Sequence, residues 1–252
     1  MPRVNVKDRR RQQLIEDNMA SISRRGLTET TIAHVSKGAD MSRGIVNFYF
    51  TSKEIMMQET LKFLCEEFTQ HWQHALFSKV EKQGENTPSE ELLQVLIEAN
   101  FDPKVCGHKR LTIWSAFWGH ACTHKAYAKL IQECDEQHIS QIAELWDDIC
   151  AERSAKNRAQ TNFPQQLHSM LRGMWLMLLL EPDIYDAKTL HMMAQRTFHE
   201  KLEFISVRSS ETTAPAQFTK ETKKPVEAKA DKKNKKPKDK PEPDVRQIDM
   251  FS

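Results

Sequence analysis

TIAHVSKGADMSRGIVNFYF, residues 31–50, decides how the chain is read. Ile32, Val35 and Ala39 fall on one face of a short helix. Met41 lies in a tight turn, and Ser42 is placed to cap a second helix over residues 43–49. That second helix turns Val46 and Phe50 inward and leaves Arg43, Gly44, Asn47 and Phe48 pointing away. A helix so short does not hold together alone in water, so a scaffold must support it. Arginine and asparagine on an outward helix face are side chains that read base edges in a major groove. A surface hairpin in an all-α protein is the plainer reading, because such patterns recur by chance.

The flanks extend the unit. Residues 7–25 form a helix with Leu14, Met19 and Ile22 on one side and Arg9, Arg10 and Arg11 at its opening; Gly26 follows as a terminating glycine. The arginines are either a solvated helix start or phosphate contacts, and their place beside a DNA-reading unit favours the phosphates. Thr51 and Glu54 have capping-box spacing, with Thr51 at N-cap. They open a long helix through Ile55, Leu61, Leu64, Phe68 and Trp72 to about residue 76. Lys53 sits in its first turn, where free backbone N–H groups already favour a phosphate.

The order Thr31-Ile32-Ala33, Ala39-Asp40-Met41-Ser42, Gly44-Ile45-Val46, Tyr49-Phe50 and Ser52-Lys53-Glu54 resembles the N-terminal DNA-binding domain of the TetR family of bacterial repressors. The match covers about the first 65 residues, and its details, including residues 10–15, are similar to the family's choline-responsive members. The resemblance implies a helix-turn-helix that contacts DNA through Thr31, Arg43, Gly44, Ile45, Asn47, Phe48, Tyr49 and Lys53. In this reading Arg43 and Asn47 meet bases, while Tyr49 and Lys53 hold phosphates. It also implies a homodimer on a near-palindromic double-stranded operator, because two reading helices one turn apart suit such a site.

Composition agrees. Residues 1–53 hold ten Lys and Arg against five acids, residues 54–207 fifteen against twenty-two, and residues 208–252 twelve against eight. Basic ends around an acidic middle point to nucleic acid at an end. No export signal and no apolar run long enough to span a bilayer is read, so a cytoplasmic protein off the membrane is expected. Five scattered cysteines with no CxxC pair read as reduced packing thiols. Cys106 with His108, and Cys122 with His124, are too close-set for a zinc site, so neither metal nor cofactor is expected. No glycine-rich phosphate loop, GxSxG or paired nucleophile and base appears, which leaves no basis for an enzyme.

The remaining chain reads as helices, about nine in all, and no strand; the fold class is all-α. Thr87 at N-cap, Pro88 and Glu90 open one helix, and Pro103 with Gly107 marks a corner. Helices follow over residues 109–122 and 125–153. The next, after Asn162-Phe163-Pro164, has apolar spacing of three and one from Leu167 to Leu179. The last carries Leu190, Met193, Ala194, Phe198, Leu202 and Ile205. The organisation is thus a DNA-binding domain over residues 1–54, an effector-binding and dimerisation domain over 55–207, and a disordered basic tail over 208–252.

Two further segments carry possible partners. Trp114-Ser115-Ala116-Phe117-Trp118 and Arg172-Gly173-Met174-Trp175 resemble segments of the choline-responsive members. Trp114, Phe117, Trp118 and Trp175 would then form a cage for a small organic cation such as choline, although aromatics at helical spacing usually fill cores. Arg172 stands where related sequences have an acid, and a cation there opposes a cationic ligand. The tail ends Gln247-Ile248-Asp249-Met250-Phe251, similar to peptides that dock on the bacterial replication sliding clamp. Gln247, Ile248, Met250 and Phe251 would make that contact, giving an alternative function as a DNA-bound adaptor without a small ligand.

Overall fold

Both helices of the residue 31–50 stretch are started by a hydroxyl side chain. In the computed structural model, which describes residues 6–153 and 162–210, Thr31 accepts from the His34 N–H at 3.2 Å and Ser42 from the Ile45 N–H at 3.3 Å. The helices so begun are α2 (Ile32–Gly38) and α3 (Arg43–Tyr49), after α1 (Val6–Glu29). There follow α4 (Lys53–Gln83), α5 (Ser89–Ala99), α6 (Pro103–Cys106), α7 (His108–Ala121), α8 (Lys125–Glu152), α9 (Phe163–Leu180) and α10 (Ala187–Ser210). Among the described residues there is no strand, and all these helices belong to one compact unit. The tenth helix is the single turn α6, at the corner marked by Pro103 and Gly107. The tail residues Gln247, Ile248, Met250 and Phe251 lie outside the described residues.

Gly26 ends the regular part of α1. Its φ of 77° and ψ of 172° break the helix, and three more residues turn after it. Thr30 donates to the Gly26 carbonyl at 2.8 Å, which pins the redirected chain. In the turn between α2 and α3, Asp40 takes φ 52°, a conformation that Asp tolerates better than most residues. Val35, Ala39, Val46 and Phe50 are all buried against Leu14, Ile15, Met19 and Ile22 of α1 and Met56 and Met57 of α4. Asn18 is fully buried and donates to Thr60 at 2.8 Å, a polar tie between α1 and α4.

Several expectations are corrected. Ser52, not Thr51, caps α4 by accepting from Ile55 N–H at 3.2 Å, so Glu54 does not reach back as a capping-box acid. It instead accepts from Gln58 and from the Tyr127 hydroxyl. Helix α4 runs on to Gln83, beyond residue 76. Thr87 does not cap α5: its hydroxyl donates to the Gly84 carbonyl at 2.7 Å, and Pro88 stands at the N-cap with no side-chain bond. Ile55 and Met193 are exposed rather than buried. Asn162-Phe163-Pro164 does open α9, and Asp186 caps α10 by accepting from Thr189 N–H at 2.7 Å.

Helix α4 packs on α1, α5 and α8, and α8 on α5, α7 and α9. The core between them carries Trp72, Trp114, Trp146 and Trp175. Among the described residues no helix is long and apolar enough to cross a membrane.

Candidate nucleic-acid interface and aromatic cage

Helix α3 has one buried residue, Val46, with Phe50 buried at its end. Arg43, Gly44, Ile45, Asn47 and Phe48 are exposed, Phe48 at 71%, and Tyr49 is half-buried. One short helix therefore offers a guanidinium, an amide and an aromatic ring outward with no competing partner for the first two among the contacts described. Phe48 stands edge-on to Tyr49 at 5.3 Å, and Lys7 lies 5.7 Å over its ring. Thr31 is exposed at the start of α2, on the same helical pair.

Lys53 is in the first turn of α4 and donates to the Thr28 carbonyl at 2.8 Å. That bond leaves the ammonium two further protons at the same helix start. The arginine cluster divides. Arg9 and Arg10 are exposed, but Arg11 turns inward, pairs with Glu59 and lies over Phe50. Two cations escaped the sequence reading: Lys37 is exposed in the last turn of α2, and Lys7 stands by Phe48. Lys7 was legible as a charge but not as a neighbour of α3.

The second cluster lies in the helical body. Trp114 and Trp118 stack at 5.7 Å, Trp118 and Trp175 at 6.4 Å, and Phe68 stands edge-on to Trp175 at 5.3 Å. Phe117 is elsewhere: it packs edge-on against Tyr127 at 5.4 Å. The structure thus brings together three of the four expected cage residues and adds Phe68, from α4. The space these rings face holds Arg172. Its guanidinium carbon is 4.5 Å from the Trp175 ring centre, 4.9 Å from Phe68, 5.0 Å from Trp114 and 5.7 Å from Trp118.

Asp135 accepts from Arg172 at 2.7 Å and lies 3.4 Å from His168. Burial alone would raise the Asp135 carboxyl, but the bond from His168 and the Arg172 charge outweigh it and hold it below its ordinary value. Behind it, His168 Nδ1 meets His138 Nδ1 at 2.9 Å, and His138 Nε2 meets the Asn100 amide at 3.4 Å. Burial foremost, then any positive charge on His168 and that of Arg172, push His138 well below the usual imidazole value. A neutral His138 that donates from Nδ1 and accepts at Nε2 satisfies this chain. The Asn100 carbonyl accepts from Trp175 Nε1 at 2.8 Å, so the polar row and the ring cluster position each other.

The two sites are joined by packing. Phe68 and the Ser52 cap are on one helix, α4. Helix α7, which carries Trp114 and Trp118, meets α1 through Arg110 to Met19 Sδ at 3.1 Å and His120 to Thr28 at 3.4 Å. Among the described residues no three metal-ligating side chains gather.

A supported short helix turned outward on an all-helical body is the arrangement of a helix-turn-helix DNA-binding transcription regulator. Residues 14–60 match the model for bacterial regulatory proteins of the tetR family, and residues 89–203 match that for the C-terminal domain of BetI-type transcriptional repressors. The chain belongs to the TetR family, with a BetI-type C-terminal domain. The HTH-type transcriptional regulator BetI of Paraburkholderia phymatum is 28% identical over 194 residues, 75% of this chain and 90% of that protein. A transcriptional regulator from Pseudomonas aeruginosa PAO1 shares the fold with a TM-score of 0.70 at 17% identity, covering 82% of this chain and 96% of its own. One from Saccharomonospora viridis, solved in complex with choline, does so with a TM-score of 0.61 at 14% identity, covering 75% and 95%.

Proposed function

We propose that the protein is a dimeric, sequence-specific repressor that reads a near-palindromic operator through α3, its DNA-binding shape set by the aromatic cluster around Arg172. The observation that carries the first half is the outward face of α3, with Arg43 and Asn47 exposed above the buried Val46. Tyr49 and Lys53 lie at its far end, where phosphates flank the groove. Thr31, Gly44, Ile45 and Phe48 complete the contact surface.

Dimerisation has support from exposed apolar side chains on and beside the last two helices: Leu176, Leu180, Ile184, Met192 and Met193. Such a row is costly in water and suits a four-helix interface with a second copy. That the cluster bears on the DNA-binding half has support from the helices that build it: α4 carries both Phe68 and Lys53, and α7, with Trp114 and Trp118, meets α1 at Met19 and Thr28.

The test is operator binding. Genome-wide occupancy supplies the site, and Arg43→Ala is then titrated against it and against single-base variants. Losing one bidentate base contact costs roughly 1–3 kcal/mol and flattens discrimination at one position of each half-site. Unchanged discrimination would remove Arg43 from the reading.

A further inference from the structure

We propose that the aromatic cage of this protein is permanently occupied by its own Arg172, a tethered internal cation, and that operator binding is therefore insensitive to small organic cations such as choline. The inference rests on the regulatory reading above and names how the site is regulated. Four rings from three helices surround the guanidinium: Phe68 of α4, Trp114 and Trp118 of α7 and Trp175 of α9. A carboxylate from a fourth helix, Asp135 of α8, closes the shell at 2.7 Å.

Aromatic faces plus one carboxylate are the chemistry that holds an organic cation. Arg172 satisfies that chemistry from within. Its side chain is only 15% exposed, and its Nη1 is buried with no hydrogen-bond partner, so ring faces stand where a donor would otherwise need an acceptor. A free cation must expel this group, and the expelled guanidinium would leave Asp135 and re-enter water. The tether makes the competition intramolecular, so the bound state needs no ligand to be supplied. Two positive charges cannot share the shell, because like charges at such distances repel strongly where water is scarce.

The experiment compares full-length wild type with Arg172→Ala, using tryptophan fluorescence, thermal melting and operator binding, with choline and methylguanidinium as probes. Expected for wild type is no response to either probe. Expected for Arg172→Ala is saturable quenching and a rise in melting temperature with methylguanidinium, at least about tenfold tighter than in wild type, because an emptied cage takes a cation of the lost group's shape. Operator affinity in that variant then changes with the probe. Saturable binding of choline to wild type, or no binding of either probe by a folded Arg172→Ala, overturns the proposal.

If stranding Asp135 unfolds the single variant, Arg172→Ala with Asp135→Asn removes the unpaired charge and is judged by the same binding criterion. Arg172→Lys keeps a tethered cation and is expected to remain unresponsive; a response there also counts against the proposal. Failure of the regulatory reading shows separately, as a wild-type protein that binds no operator while the fluorescence and melting titrations still decide who occupies the cage.

Discussion

Replacing Val46 by alanine tests whether α3 is held by its underside alone. Val46 is fully buried and is the only buried residue within α3. Removing its two methyl groups costs roughly 1.5–3 kcal/mol, at about 0.8 kcal/mol per buried carbon plus the cavity left behind. Alanine's better helix propensity returns about 0.5 kcal/mol, leaving roughly 1–2.5 kcal/mol. Since α3 is too short to persist unsupported, this loss falls first on local opening. Amide exchange within α3 of the full chain should then quicken roughly 5- to 70-fold, with a much smaller change in α8 and α9. Phe48→Ala is the contrasting change. Two positions on, at 71% exposure, it should shift stability by less than about 0.5 kcal/mol while still weakening operator binding. Equal acceleration of α3 exchange in both variants, or none in Val46→Ala, would refute the claim that burial rather than surface contact holds the reading helix.

Lys53→Ala should weaken binding to all sequences alike and lower the salt slope by about one, measured by titration at several salt concentrations; a change in base preference would contradict a phosphate role. Lowering the pH through the acid range should destabilise the fold through His138, whose imidazole is held below its ordinary 6.5. Below that value the unfolded chain takes up a proton that the folded chain refuses, so stability falls by up to about 1.4 kcal/mol per pH unit. Urea unfolding should show this slope, and His138→Gln should flatten it; the lowered Asp135 carboxyl adds its own loss only below its ordinary 3.8. Leu180→Glu, at a side chain 72% exposed, should shift the sedimentation profile from dimer to monomer without unfolding the chain.

The reading unit was legible because its signals are local. Ser42 caps within three residues, and Val46 and Phe50 are one helical turn apart. Periodicity found α9 for the same reason. Caps failed where neighbouring hydroxyls competed: Thr51 and Ser52 are both good N-cap residues, and the path of the chain out of α3 selects Ser52. At Thr87 the hydroxyl has a nearer carbonyl, Gly84, and leaves the helix start. The cage was half legible. Trp114 and Trp118 share a helix face, so their pairing follows from spacing, whereas Phe68 reaches them only through packing of α4. Arg172 was read as a charge that opposes a cationic ligand. That it fills the cation's place depends on Asp135, thirty-seven positions earlier on another helix, and no local pattern encodes that meeting.

Helix α4 also has a mechanical consequence. Between Lys53 at its cap and Phe68 in the aromatic shell lie fifteen residue steps, or about 22 Å of continuous rod. Were α4 to pivot by about 5° at Phe68, its capped end would swing by about 2 Å over that length. In a two-fold pair the two ends move oppositely, so the separation of the reading helices changes by about 4 Å against a half-site spacing of about 34 Å. That is close to the rise of one base pair, about 3.4 Å. A tilt of that size would therefore be enough to put both helices of such a pair out of register with the grooves they face.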